Sequence, residues 1–250
     1  LSSKSHADIP VDVNGSVVHI LASHPTPPVF DDGESSTYPD PEVADWNGLR
    51  NHDEIRFWAD YIDPAKSGYI YDDAQWDAAG GSTPASPEGG LDAGSCFVIL
   101  GDQNADPVDG DATFNPIMML LGSPLVDTSI APNSVGAVEQ VPASFTAREE
   151  KTSSFNLRAD YALPSVEGLD LIDAFVFWPE LTDLEAFLLA ASDHRSVVID
   201  LEITKSAPAP GDVDGDGDID FDDRMIILGA FRGQEGDSRY VAAADLDGDG

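Results

Sequence analysis

The sequence predicts a layered domain of α-helices and β-strands, followed by a small calcium-binding module. In most of the chain, short apolar segments with strand character alternate with segments of helical periodicity, a pattern typical of an α/β or α+β domain. Beyond the proline-rich stretch KSAPAP, aspartates and glycines alternate as they do in calcium loops. We therefore predict a main domain at 1–204, a linker at 205–210 and a calcium module at 211–250.

The first half of the main domain begins with a strand at 16–22, SVVHILA, and the proline-stiffened loop HPTPPVF follows it. Asn51 is expected to cap a helix over about 52–62, because Ile55 and Trp58 fall on one face at helical spacing.

The second half contains four further apolar segments and one short helix with clear ends. FVIL at 97–100 predicts a buried strand that ends at GDQN, and the helix begins at Asn115-Pro116 and ends at Gly122. The remaining expectations are strands at 161–163, 169–177 and 197–203 and a short helix at 181–191.

Composition narrows the possible classes of protein. With 42% hydrophobic and 8% aromatic residues the chain can form a packed core, which excludes global disorder. The 47 acidic and 12 basic residues give a net charge of −35. Tight binding of nucleic acid is disfavoured, because it depends on Lys and Arg at the phosphates. The acidic surface favours an extracellular or salty setting.

Cysteine content and hydropathy add two constraints. Cys96 is the sole cysteine and precedes a buried strand, so it is expected to be a small buried hydrophobe rather than a nucleophile. No segment approaches the roughly 18 apolar residues of a membrane-spanning helix. No signal peptide is recognisable, but the chain starts at Leu1 and stops at Gly250 within a repeated motif, so we expect sequence beyond both ends.

The segment 212–223 follows the twelve-residue calcium-loop pattern, in which alternate positions supply oxygen ligands. Gly217 provides the sharp turn, Ile219 points into the core, and a helix is expected over 224–231. The candidate calcium ligands of this first loop are Asp212, Asp214, Asp216, Asp218 and Asp223. A second loop begins with Asp245, Asp247 and Asp249 and is cut short.

These two loops, 33 residues apart, resemble a truncated type I dockerin. The resemblance implies an EF-hand-like all-α module that binds Ca²⁺ and a cohesin domain as its partner. Phe221 and Asp222 stand where many cohesin-binding dockerins carry small hydroxyl residues, so the partner is left open.

Four segments of the main domain carry reactive side chains at the ends of apolar runs, where sheets of this class present ligand-binding groups. They are SHPT with His24, GDQN with Asp102 and Asn104, RADY with Asp160, and SDHR with Asp193 and His194. Taken singly, each of these side chains is also explained as part of a turn or as a solvated surface residue. Taken together, they supply the carboxylates, imidazoles and amide that metal-assisted hydrolysis of a phosphoester requires.

In their order and spacing, GDxN, R-x-D-Y and SDH resemble the endonuclease/exonuclease/phosphatase superfamily over about residues 5–204. The resemblance implies an α+β fold, part of a four-layer α/β/β/α sandwich, and a hydrolase that uses Mg²⁺ or Mn²⁺. The implied roles are Asp102 orienting the water, Asn104 and His24 binding the phosphate, Asp160 supporting His194, and Asp193 at the metal. RNHDEIRFW is similar to a secreted bacterial branch, which adds Arg50, His52 and Glu54 as candidate substrate-binding residues.

One part of the superfamily's pattern has no counterpart here. Its first half, with an early Asn and the main metal-binding Glu, would precede SHPT, and VDVNG at 11–15 lies too close to His24 to supply it. We therefore expect residues 1–250 to bind the catalytic metal poorly and to be weakly active or inactive.

Two functions from different classes fit the sequence. The first is a secreted, metal-dependent phosphoesterase that carries a dockerin and acts on phosphomonoesters, phosphodiesters or nucleic acid. The alternative is a non-catalytic, calcium-dependent scaffold or adhesion protein with a degenerate hydrolase domain. A Ser/His/Asp hydrolase is disfavoured, because the sequence has no G-x-S-x-G elbow.

Overall fold

The computed structural model describes residues 5–30, 45–140, 147–204, 211–213, 219–231, 233, 241 and 244. The chain divides into two units, Leu1–Val11 with Val17–Thr204 and Asp12–Ser16 with Lys205–Gly250, which we treat separately. The predicted linker at 205–210 lies outside the described residues. No helix in the described ranges is long and apolar enough to cross a membrane.

Strands and helices are interspersed along the described part of the chain, which agrees with the predicted mixed class. The elements are β1 (His6–Val13), β2 (Ser16–Ser23), α1 (Trp46–Tyr61), α2 (Asp73–Ala78), β3 (Cys96–Asp102), α3 (Ile117–Leu121), α4 (Val135–Glu139), β4 (Asp160–Pro164), β5 (Leu169–Val176), a 3-10 helix (Leu184–Ala191), β6 (Val197–Ile203) and α5 (Phe221–Ala230). The first four strands form one sheet in the order β1-β2-β3-β4, and β5 pairs with β6 in a second sheet.

The first sheet is mixed, and its pairing decides which chain ends meet. β2 and β3 are parallel, so their carboxyl ends lie at the same edge of the sheet. β4 runs antiparallel to β3, which brings its amino end to that edge. Asn14 and Gly15, in the segment VDVNG, have φ of 57° and 88° and make the turn between β1 and β2, where such left-handed pairs are favoured.

Side chains of β3 alternate between two hydrophobic clusters, as expected for a strand buried on both faces. Phe97 and Ile99 pack in the cluster that contains Ile55 and Trp58 of α1, together with residues of α3. Val98 packs on the other face with the second sheet. The first sheet is therefore covered by helices on one side and by β5 and β6 on the other.

The outer face of the second sheet is exposed in the described residues, and the prediction is only part of a four-layer sandwich. The cross-strand pairs Asp170–Glu202 and Asp173–Asp200 are exposed there. Within the described ranges the main unit thus has three layers, namely helices, a four-stranded sheet and a two-stranded sheet, and it is a mixed α+β structure.

Several predicted elements keep their places with altered ends. β6 spans the predicted 197–203, but β3 continues through Gly101 to Asp102, which makes Asp102 a strand residue. The prediction that Asn51 caps α1 is wrong. The helix begins earlier because the carboxylate of Asp45 accepts a hydrogen bond from the amide of Gly48 at 2.8 Å.

In the second unit, α5 begins at Phe221 rather than at Arg224. Asp220 caps it by accepting a hydrogen bond from the amide of Asp222 at 2.7 Å, and Asp223 accepts one from the amide of Asp220 at 2.7 Å. This reciprocal capping box starts the helix inside the predicted calcium loop.

Candidate active site

The shared edge of the first sheet gathers side chains from four separate segments. His24 follows β2, Asp102 ends β3, Asp160 begins β4, and His194 lies in the turn before β6. The pairing of β2, β3 and β4 brings together the first three of these segments, and the bridge between Ser153 and His194 adds the fourth, 170 positions after His24.

Asp102 and Asp160 are partners in the register of β3 and β4. Antiparallel partners stand opposite each other, so the backbone fixes the spacing of the two residues. Gly101 allows this end of β3 to lie against the end of β2, since a Cβ at Gly101 would collide with the carbonyl oxygen of Ser23. Its φ of 133° is also one that a side chain would strain.

The imidazole of His194 is bonded to the carboxylate of Asp160. Nδ1 lies 2.9 Å from Oδ2 and 3.1 Å from Oδ1. The hydroxyl of Thr152 donates to Oδ2 of Asp160 at 2.8 Å and accepts the amide of Asp160 at 2.9 Å, so the carboxylate is itself held in place. A bridge between Ser153 and His194 joins the two segments through their backbones.

The carboxylate of Asp102 faces both histidines. Its Oδ2 lies 3.7 Å from Nε2 of His194 and 3.4 Å from Nε2 of His24, and its Oδ1 accepts the amide of Asn104 at 2.9 Å. Asn104 has a left-handed backbone, with φ of 51°, and its side-chain amide donates to the carbonyl of Pro25 at 3.0 Å. These contacts tie the loop after β3 to the loop after β2.

The surroundings change the protonation of two of these groups. Burial lowers the pKa of His194, but the hydrogen bond to Asp160 and the charges of Asp160, Asp102 and Asp193 outweigh it, so the pKa of His194 lies above 6.5. Burial raises the pKa of Asp102, and the nearby charge of Asp160 adds to this rise, while the amide of Asn104 and the two histidines oppose it. The site thus favours a proton, or another cation, among its carboxylates.

Asp102, Asp160 and His194 could hold a metal ion, because one ligand atom from each lies within 4.8 Å of the others. Carboxylate oxygens are the ligands that Mg²⁺ and Mn²⁺ prefer, so the donor set fits either ion. Asp193, the predicted metal ligand, is exposed and does not belong to this group, although its charge acts on His194.

The three substrate-binding candidates on α1 have different surroundings. Arg50 is exposed. The ring of His52 makes an edge contact with Phe114, with the ring centres 5.8 Å apart. Glu54 is buried and its Oε2 accepts the amide of Thr26 at 2.6 Å, so it supports the loop that carries His24.

Asn51, which the sequence suggested only as a helix cap, connects two loops of the site. It is fully buried, and its Nδ2 donates to the carbonyl of Thr26 at 2.9 Å and to that of Gln103 at 3.0 Å. One side chain thus links the segment after His24 to the segment after Asp102. An asparagine inside a helical pattern, where its propensity is low, was the available signal.

Two of the predicted calcium ligands can be described. Asp212 and Asp223 are buried, and Asp223 accepts the amide of Val213 at 2.6 Å through Oδ1 and the amide of Asp220 through Oδ2. The other predicted ligands lie outside the described residues: Asp214, Asp216, Asp218, Asp245, Asp247 and Asp249.

No protein-family model matches the chain, and no curated protein matches it. Among solved structures, the chain is similar to an endonuclease/exonuclease/phosphatase from Beutenbergia cavernae DSM 12333, with a TM-score of 0.43 and 22% identity over 80% of this chain and 39% of that one. It is also similar to sphingomyelinase C from Streptomyces griseocarneus, with a TM-score of 0.33 and 13% identity over 80% of this chain and 55% of that one. The chain therefore spans less than two thirds of either protein.

Proposed function

We propose that the main unit is a phosphoester hydrolase that uses a divalent metal ion. The observation that supports this most is the meeting of Asp102, Asp160 and His194 at one edge of the sheet. These residues come from the motifs GDxN, R-x-D-Y and SDH, whose resemblance to the superfamily implies phosphoester hydrolysis.

In the proposed reaction, His194 is the general base. Asp160 holds Nδ1, which leaves Nε2, the nitrogen that faces Asp102, to take a proton from water. The water oxygen bonds to phosphorus as the bond to the leaving oxygen breaks, and the leaving group takes up a proton. Asp102 orients the water, and His24 and Asn104 donate hydrogen bonds to the phosphate.

A bound Mg²⁺ or Mn²⁺ would neutralise charge on the phosphate oxygens. The family resemblance implies Asp193 as its ligand, whereas the carboxylates of Asp102 and Asp160 have suitable spacing beside His194 and would leave its Nε2 to act as the base. Mn²⁺ broadening of the imidazole signals of His194, followed in Asp193→Asn and Asp102→Asn, separates the two. The substitution that removes a ligand should weaken the broadening, and an unchanged titration in both variants would contradict a metal site here.

The test of the reaction is hydrolysis by the natural protein of bis-p-nitrophenyl phosphate, p-nitrophenyl phosphate and plasmid DNA in Mg²⁺. Asp102→Asn should lower the rate on the preferred substrate by about a hundredfold or more, because it removes the charge opposite His194. Asp173→Asn, the same change on the outer face of the second sheet, is the control. Equal activity of Asp102→Asn and Asp173→Asn would contradict the assignment.

We also propose that the first loop, 212–223, binds Ca²⁺, that a cohesin-type domain is its partner, and that the protein acts outside the cell. The supporting observations are the calcium-loop spacing of the acidic residues in 212–223 and the burial of two of them, Asp212 and Asp223. Calcium calorimetry on the wild type and Asp212→Ala, with capture on a panel of cohesins, tests this part. Calcium-dependent capture without hydrolysis of any phosphoester would favour the non-catalytic scaffold.

A further inference from the structure

Phe155 lies beside the proposed base and none of the predicted roles uses it. Its ring meets that of His194 edge to face, with the ring centres 5.3 Å apart and the planes at 74°. Phe155 is nevertheless 41% exposed, so part of its apolar surface is accessible to a ligand.

A tight turn holds this ring in place. The hydroxyl of Ser153 donates to the carbonyl of Leu157 at 2.8 Å and accepts its amide at 3.1 Å, which closes a loop around Phe155. Asn156 supports the turn with a left-handed backbone, φ 68°, and its amide donates to the carbonyl of Ser153 at 3.0 Å. The ring is thus presented by an ordered backbone, which lowers the entropic cost of binding against it.

The backbone also fixes Phe155 relative to His194. The amide of Ser154 donates to the carbonyl of Asp193 at 2.7 Å, and the amide of Arg195 donates to the carbonyl of Thr152 at 2.7 Å. These two hydrogen bonds lie on either side of the bridge between Ser153 and His194. The backbone on either side of this pair therefore cannot move away from the segment of His194 without breaking these bonds.

We propose that Phe155 is the apolar wall of a substrate subsite that receives an aromatic or heteroaromatic ester group. This inference rests on the proposed phosphoester hydrolysis, since it assigns the group attached to the phosphate at His194. An exposed ring face stacks on another ring.

The test compares phenyl phosphate with methyl phosphate, because they differ in the ring alone. Both are titrated in Mg²⁺ into the wild type, Phe155→Ala, Phe155→Leu and Phe175→Ala, and binding is followed by the imidazole resonances of His194. Phe175 is the matched control, since it is also 41% exposed but lies on the outer face of the second sheet. The amide spectrum of each variant verifies that it is folded.

We expect the wild type and Phe175→Ala to bind phenyl phosphate about tenfold more tightly than methyl phosphate. The ratio of the two affinities should fall to near one in Phe155→Ala. It should also fall to near one in Phe155→Leu, which keeps apolar volume but has no ring. Equal affinities in the wild type, or an unchanged preference in Phe155→Ala, would overturn this inference and leave phosphoester binding intact. If neither ester binds the wild type, both the inference and the proposed function are overturned.

Discussion

Two histidine–aspartate pairs in the main unit look alike and have different surroundings. Nδ1 of His194 lies 2.9 Å from a carboxylate oxygen of Asp160, and Nδ1 of His19 lies 2.8 Å from one of Asp8. Both pairs join two segments that lie side by side in the fold, and both are partly buried. A search for histidine–aspartate pairs alone would not separate them.

The third group of each pair separates them. Beside Asp8 it is Tyr61, whose hydroxyl donates to the carboxylate at 2.7 Å. Burial, together with that hydrogen bond and the charge of Asp8, raises the pKa of Tyr61 far above its usual value, so the phenol stays protonated. Beside His194 the third group is Asp102, a second carboxylate opposite the free ring nitrogen. The two pairs thus differ in the third group, which is a phenol on the carboxylate in one and a second carboxylate near the imidazole in the other.

The most decisive comparison removes each histidine in turn. His194→Ala should lower phosphoester hydrolysis by about a thousandfold, because it removes the proposed base. His19→Ala should change the rate by no more than about twofold, as expected for a substitution away from the site. The measurement is kcat/KM on the best of the p-nitrophenyl substrates. Similar losses in the two variants would remove the distinction between the pairs.

A second comparison removes one buried polar contact near each pair. Asn51→Ala should lower the free energy of unfolding by about 2–4 kcal/mol, because two carbonyls lose their donor inside the fold. Tyr61→Phe removes one hydrogen bond to Asp8, whose carboxylate still has His19 as a partner. It should lower the free energy of unfolding by about 1 kcal/mol. Urea denaturation measures both. A larger loss in Tyr61→Phe would mean that the loops after β2 and β3 do not depend on Asn51.

The smallest expected effect concerns protonation of His194 in metal-free buffer. Its raised pKa means that protonated His194 stabilises the fold fully below pH 6.5, and this contribution is lost as the pH rises through the folded-state pKa. Asp160→Asn removes the hydrogen-bonded charge and should lower the pKa in an NMR titration. A pKa that stays as high in Asp160→Asn would assign the rise to Asp102 or Asp193.

Much of the fold follows from local patterns. The alternation at 197–203 predicts β6 with its observed ends, because a strand exposed on one face repeats every two residues. The first residues of α1 and α5 were harder to predict from the sequence. Asp45 and Asp220 cap these helices through hydrogen bonds that depend on backbone geometry. The number of layers could not be predicted locally either, since it depends on what packs against each face of the two sheets.

The site was partly predictable for the same reason. Asp102, Asp160 and His194 each border an apolar run, and the register of β3 and β4 brings the first two together. Phe155 and Asn51 were not identified, because a phenylalanine in a polar turn and an asparagine in a helix have common structural explanations. Their importance depends on contacts with segments 39 and 52 residues away.

The ladder between β3 and β4 has a consequence for how this protein can diversify. The separation of the two facing acids is inherited from backbone pairing, and pairing can slip only in whole-residue steps that reverse which face each side chain occupies. Point mutations are therefore not expected to change the distance between Asp102 and Asp160 gradually. Substitutions that alter the proposed substrate preference are instead expected in the turns around this edge of the sheet. There a residue such as Phe155 can be replaced without changing the positions of Asp102 and Asp160.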